Sequence, residues 1–128
     1  MIDIPPGLYR GRVEGPESGP CEARLLVTRL PGGCVSIDYE AVGAEGTQHV
    51  EHTVAAAGRL YVAHSEAEGV EAFSEGAPGV FDGPPGGPYL QRLVVGWDGT
   101  TLTWAWHWAP AGEEPREQSR AVVRLADY

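Results

Sequence analysis

The chain has 128 residues, which is enough for one domain with a substantial core. Its 18 glycines and 11 prolines, in a chain that is 42% hydrophobic, indicate many tight turns rather than disorder. The net charge of -9 disfavours nucleic acid and anionic lipid as partners unless charge is locally segregated. No apolar stretch reaches the length of a signal peptide or a membrane span, so we expect a cytoplasmic protein and no membrane partner.

The first half of the chain begins with alternating apolar and polar residues, which is typical of β-strands. Residues 7–14 are predicted as one strand, and residues 21–30 and 34–42 as a hairpin around a Pro-Gly-Gly turn. A three-residue loop pairs Leu30 with Cys34 and keeps the apolar side chains of both strands on one face.

The same register decides the state of the two cysteines. It puts Arg24 opposite Glu40 on the polar face, and it puts Cys21 opposite Gly43 rather than opposite Cys34. Two thiols without a Cys-x-x-Cys motif or a second ligand pair also make a poor zinc site. We therefore predict two free thiols.

The next pair of strands, residues 47–56 and 59–66, leaves two registers open. A three-residue loop matches the apolar side chains of both strands and puts His52 and His64 on the apolar face. A two-residue turn would instead pair Glu51 with His64. We favour the three-residue loop, which predicts that both histidines lie in the interior.

Two short strands, residues 69–75 and 79–82, precede a tryptophan-rich hairpin over residues 89–108. The Asp98-Gly99 step predicts a two-residue type I′ turn, in which both central residues have positive φ. Because side chains alternate across a strand, this hairpin puts all four tryptophans on one face. That face comprises Tyr89, Gln91, Leu93, Val95, Trp97, Thr100, Leu102, Trp104, Trp106 and Trp108.

The C-terminal segment is ambiguous, because its apolar residues fit both periods. Residues 119–126 alternate as a strand would, although a helical stripe is also possible over residues 117–127, and we favour the strand. About ten short strands then follow one another without a long crossover. This pattern predicts an all-β fold, an antiparallel up-and-down meander closed into a single barrel of about 8 to 10 strands.

A short glycine-aromatic motif lies at the start of the first strand. Gly7-Leu8-Tyr9-Arg10-Gly11 resembles the Gly-x-Trp opening of the calycin-like barrels, which include lipocalins and fatty-acid-binding proteins. In the nitrobindin group the motif is Gly-x-Trp-x-Gly, and Tyr9 takes the position of the tryptophan. The resemblance extends to strand number, chain length and meander order, and it implies a barrel whose interior holds a ligand.

The chain also departs from these families. Residues 15–20 leave no room for the two-helix lid of fatty-acid-binding proteins, and the predicted interior contains no arginine. The nitrobindin group has a haem-ligating histidine near its C-terminus, and here nothing after His107 can serve. His107 itself is predicted on the face away from the tryptophans. We therefore expect no cofactor.

The predicted interior is apolar with a few polar groups, which is the pattern of a small-molecule pocket. A barrel of this size can either be filled by its side chains or hold one ligand. We predict that it binds a small hydrophobic or aromatic molecule, which aromatic rings would stack and polar groups would orient. The predicted ligand-binding residues are Tyr9, Tyr39, His52, His64, Tyr89, Gln91, Trp104, Trp106 and Trp108.

Three alternatives stay open at this level. Large aromatics could fill the interior as a solid core. An isomerase or cyclase could use His52 or His64 as acid or base, since a neutral imidazole accepts a proton. An outward-facing tryptophan wall would instead form an interaction surface or a homodimer. A metal site is not predicted, because we expect no acidic residue on the histidine face, and no catalytic nucleophile motif occurs.

Overall fold

The computed structural model describes residues 3–15, 21–65 and 68–126, and these form an all-β closed barrel of ten antiparallel strands. Each strand pairs with the next along the chain, and the first pairs with the last, as the meander prediction requires. Within the described ranges, no helix has the length and apolarity needed to cross a membrane. The strands are β1 (Gly7–Glu14), β2 (Cys21–Arg29), β3 (Val35–Gly43), β4 (Gly46–Ala56), β5 (Arg59–His64), β6 (Glu71–Glu75), β7 (Val80–Asp82), β8 (Tyr89–Trp97), β9 (Thr101–Pro110) and β10 (Arg116–Leu125).

The β2–β3 hairpin has the predicted register. The amide of Leu30 donates to the carbonyl oxygen of Cys34 at 2.9 Å, and Arg24 lies opposite Glu40. Both cysteines are free. The register is specified because one face of these strands is buried, so a slip of one residue would expose the apolar set.

The β4–β5 hairpin has the register that the sequence analysis did not favour. Its turn contains only Ala57 and Gly58, with φ angles of 49° and 76°, and Glu51 lies opposite His64. The predicted interior position of His52 is therefore wrong, and this residue faces outward. The three-residue loop was favoured because it buries valines, whereas the barrel leaves Val54 39% exposed and buries polar residues of the opposite face.

The β8–β9 hairpin keeps the predicted faces but not the predicted turn. Trp97 pairs with Leu102, so the connection is two residues longer than a type I′ turn allows. The Asp98 carboxylate accepts hydrogen bonds from the amides of Thr100 and Thr101, at 2.9 and 2.7 Å. Only Gly99 has a positive φ there. A shift of two residues leaves each side chain on its predicted face. The four tryptophans therefore share one face, and this face points into the barrel.

The barrel closes where β1 meets β10, which is a strand as predicted. On its other side, the pairing of β10 with β9 is irregular between Glu117 and Ser119. Gly11 lies at this seam, and a Cβ there would come within 1.9 Å of the carbonyl oxygen of Val122. A side chain at this position would therefore push β1 and β10 apart. The second glycine of the Gly-x-aromatic-x-Gly motif thus permits the close approach of the two strands.

One end of the interior is a filled core. Tyr9 is fully buried there, its hydroxyl donates to the carbonyl oxygen of Pro5 at 2.7 Å, and its ring meets Trp97 edge-on at 5.8 Å. Burial raises the pKa of the Tyr9 phenol. Fully buried apolar side chains fill the space around it, among them Ile4, Leu25, Ile37, Leu60, Phe73, Phe81, Leu93 and Leu102.

Candidate functional site

The other end of the interior is an open chamber of about 570 Å³. Pockets for small molecules typically measure roughly 300 to 1,000 Å³. Strand β8 shows the difference between the two ends, because Tyr89 and Gln91 line the chamber whereas Trp97 packs into the filled core. The full lining is Val13, Cys21, Tyr39, Ala41, Gln48, His49, His64, Tyr89, Gln91, Trp106, Trp108, Gln118 and Ser119.

A buried carboxylate lies directly behind this lining. Glu51 of β4 has no exposed surface, and its Oε1 accepts a hydrogen bond from the indole nitrogen of Trp104 at 3.0 Å. Its Oε2 accepts one from the indole nitrogen of Trp106 at 2.6 Å, and Nε2 of His49 lies 2.6 Å from the same atom. Burying a carboxylate is costly unless donors surround it. These three donors satisfy both oxygens and fix the orientation of three rings.

A row of rings continues from this cluster along the chamber wall. Tyr39 meets His49 at a centroid distance of 5.6 Å, and His49 meets His64 at 6.2 Å. The His64 ring lies 6.0 Å from Trp106. The chamber wall is therefore a continuous aromatic surface that carries imidazole nitrogens, suited to a ligand with a flat apolar body and a polar group.

A second carboxylate, Glu71 of β6, is held more loosely. Its Oε2 accepts a hydrogen bond from the side-chain amide of Gln91 at 3.4 Å, and its Oε1 lies 3.6 Å from Nε2 of His64. Its side chain keeps 26% of its surface exposed. Glu71 thus lies between two lining side chains, and its contacts with them are long enough that a ligand group could replace them.

The structure brings most of the predicted binding residues together, although ligand binding by them stays a prediction. Tyr39, His64, Tyr89, Gln91, Trp106 and Trp108 line the chamber. Tyr9 and Trp104 are buried away from the lining. His52 lies outside the barrel, with Nδ1 2.6 Å from Oδ1 of Asp38 and its side chain 70% exposed. An enzymatic role for His52 in the interior is thereby removed.

His49, Glu51 and Glu71 are not among the residues predicted for the site, and the expectation of no acidic residue on the histidine face is wrong. The signal is present in the two-residue register, which turns the face of β4 that carries His49 and Glu51 into the barrel. Gln48 enters the chamber because the strand pairing shifts there. Ala41 pairs with His49 and Val42 with Thr47, which leaves Gln48 as an extra residue.

The described residues around the chamber do not supply the ligand set of a metal centre. Across residues 3–15, 21–65 and 68–126, no three histidine, cysteine or acidic side chains are arranged to hold a metal ion.

His107 faces away from the tryptophans, opposite Arg92 on the outer surface. Burial lowers the pKa of His107, and the nearby Glu117 opposes this shift.

Comparisons with known proteins locate the fold but not the function. No protein-family profile and no curated protein sequence matches the chain. The crystal structure of Rv2717c from M. tuberculosis is similar, with a TM-score of 0.61 at 16% sequence identity. The match covers 94% of this chain and 92% of that one. At such low identity the similarity shows a shared fold and nothing more specific.

Proposed function

We propose that this protein is a calycin-like binding barrel that holds a small hydrophobic or aromatic molecule in the chamber. The observation that carries the proposal is the contrast between the two ends of one interior. One end is packed with fully buried apolar side chains, whereas the other keeps an open chamber of about 570 Å³ lined by aromatic rings. A barrel that needed only a stable core would gain from filling that space, since cavities lower stability.

The polar groups of the lining support binding of a ligand in one orientation. His64, Gln91, Gln118 and Ser119 offer donors and acceptors around an otherwise apolar wall. A few placed polar groups in an apolar pocket fix the orientation of a ligand and discriminate among ligands. The Glu51 cluster adds rigidity, because hydrogen bonds lock the Trp106 ring before any ligand arrives.

Cytoplasmic location is part of the same proposal. Both cysteines are free thiols, which is ordinary in a reducing compartment. A small intracellular molecule is then the ligand to be sought.

A chamber-filling variant tests the proposal. Wild-type protein is titrated with a panel of aromatic and acyl probes while tryptophan fluorescence is recorded, and Ala41→Phe is titrated alongside, since Ala41 lines the chamber. Val54→Phe on the outer face of the neighbouring strand is the control. We expect quenching by at least one probe class, lost in Ala41→Phe and kept in Val54→Phe. Absence of binding by the wild type, or unchanged binding by a folded Ala41→Phe, would overturn the proposal.

A further inference from the structure

Among the residues that the structure describes, the permanently charged side chains beside the chamber are carboxylates. The chain has no lysine, and none of its arginines lines the chamber. Two carboxylates, Glu51 and Glu71, lie directly behind the lining. Among the described lining residues, the basic groups are the imidazoles of His49 and His64. With both carboxylates ionised, the sum of these four groups runs from -2 with neutral imidazoles to 0 with both protonated.

An anionic ligand therefore meets no excess of positive charge in any of these protonation states. The whole chain adds to this effect, because its net charge is -9. A buried anion needs a charged partner or several donors to offset the loss of its hydration. Ligands with a carboxylate or phosphate head are accordingly disfavoured, and neutral or cationic ligands are left.

The two carboxylates differ in their availability to a ligand. Both oxygens of Glu51 are occupied by donors at 2.6 to 3.0 Å, and the residue is fully buried. Glu71 has contacts of 3.4 and 3.6 Å, to Gln91 and His64. An ammonium group has three donors, and its hydrogen bond to a carboxylate joins two opposite charges, so it is stronger than the 3.4 Å contact from the uncharged Gln91 amide.

We propose that the chamber selects aromatic amines, with the ligand's ammonium paired to Glu71 and its ring body against the aromatic wall. This inference rests on the proposed binding function and names its ligand class. The rings of Trp106, Trp108 and Tyr39 line the same space, and an aromatic face attracts a cation. Glu71 is a specificity-determining residue in this arrangement, whereas Glu51 acts through the rings that it positions.

Three anthracene derivatives of matched shape test the selectivity. These are 9-anthracenemethylamine, 9-anthracenemethanol and 9-anthracenecarboxylate, titrated against wild type, Glu71→Gln and Glu114→Gln with anthracene and tryptophan fluorescence as readouts. Glu71→Gln keeps the shape of the side chain and removes its charge. Glu114 is not part of the chamber lining and its side chain is 83% exposed, so its variant makes the same change in net charge at a solvated position.

We expect the amine to bind more tightly than the alcohol, and the alcohol more tightly than the carboxylate. Glu71→Gln should weaken amine binding by about tenfold and change alcohol binding by less than about twofold. Glu114→Gln should leave the affinity for the amine unchanged. Carboxylate binding equal to or tighter than amine binding, or an amine preference that survives in Glu71→Gln, overturns the inference. In those cases binding of any of the three still supports the proposed function. Failure of all three to bind counts against both.

Discussion

The indole nitrogen of Trp106 donates a hydrogen bond to Oε2 of Glu51 at 2.6 Å, although the two residues are 55 positions apart in the chain. Trp106 is on β9 and Glu51 is on β4, which are not neighbours in the barrel. The bond therefore links opposite walls through the interior. The same carboxylate also accepts a hydrogen bond from Trp104. Glu51 therefore links Trp106, which lines the chamber, with Trp104, which is buried in the core.

We expect Glu51→Leu to destabilise the fold strongly. Leucine fills a similar volume but leaves the indole N–H groups of Trp104 and Trp106, and the nearby imidazole of His49, without their buried acceptor. The free energy of unfolding, measured by urea denaturation, should fall by about 3 to 5 kcal/mol.

Glu51→Gln should cost less, because its amide oxygen still accepts from one indole. The exposed Glu45 supplies the control, and Glu45→Leu should change the free energy of unfolding by less than about 0.5 kcal/mol. A Glu51→Leu protein as stable as the wild type would show that the carboxylate does not hold the two walls together.

The barrel could be predicted from the sequence because alternation and turn residues recur along the whole chain. All four tryptophans lie on the predicted face although the Asp98 turn is two residues longer than predicted, because a shift by an even number of residues leaves each side chain on its face. The β4–β5 pair failed for the opposite reason. Its register error was odd, so it exchanged His52 for Glu51 in the interior.

The cause of that failure is the residue at position 57. A type I′ turn needs two residues with positive φ, and the strongest sequence signal for it is Asn-Gly. The chain has Ala57-Gly58, and Ala57 adopts a φ of 49° that alanine seldom takes. Periodicity could not reveal the site either, because no local pattern predicts that a glutamate on β4 meets indoles on β9.

We expect Ala57→Asn to stabilise the protein. Asparagine tolerates the left-handed conformation better than alanine, so the substitution relieves strain at an exposed turn without touching the interior. The free energy of unfolding should rise by about 0.5 to 1 kcal/mol, measured by urea denaturation. Ala111→Asn, in the exposed loop after β9 where φ is not positive, should give no such gain. A loss of stability in Ala57→Asn would contradict the two-residue turn.

The β8–β9 turn predicts an acid-dependent contribution to stability. Hydrogen bonds from the backbone amides of Thr101 and Thr100 lower the pKa of Asp98. Because its pKa in the folded state lies below that of the unfolded chain, the stabilisation is complete above the ordinary aspartate pKa of about 3.9. It is lost as the pH falls through the folded-state pKa.

The melting temperatures of wild type and Asp98→Asn should therefore differ most near neutral pH and converge as the pH is lowered below about 4. Asparagine keeps an acceptor oxygen for the turn amides but cannot ionise, so the comparison isolates the charge. Thermal denaturation followed by circular dichroism at a series of pH values gives the measurement. A difference that stays constant from pH 7 to pH 3 would show that the Asp98 charge does not contribute.

Three arginines lie side by side on the outer surface of the barrel. Arg10 of β1 pairs with Arg24 of β2 on one side and with Arg124 of β10 on the other. Glu22 forms ion pairs with Arg10 and Arg24, at 2.6 and 3.4 Å. Arg124 makes no ion pair within 4 Å in the part of the chain that the structure describes, although its charge contributes slightly to the lowered pKa of Asp98. Like charges directly opposite each other on neighbouring strands are destabilising.

We expect Arg124→Glu to raise the melting temperature by about 1 to 4 °C at low ionic strength, because it converts a repulsive cross-strand pair with Arg10 into an attractive one. The gain should shrink in 1 M salt, where exposed charges are screened. Arg116→Glu is the matched control, since it makes the same change in net charge but reverses a residue that lies 3.6 Å from Glu113. Equal effects of the two variants, or a gain in Arg124→Glu that does not depend on salt, would show that the arginine row is not the cause.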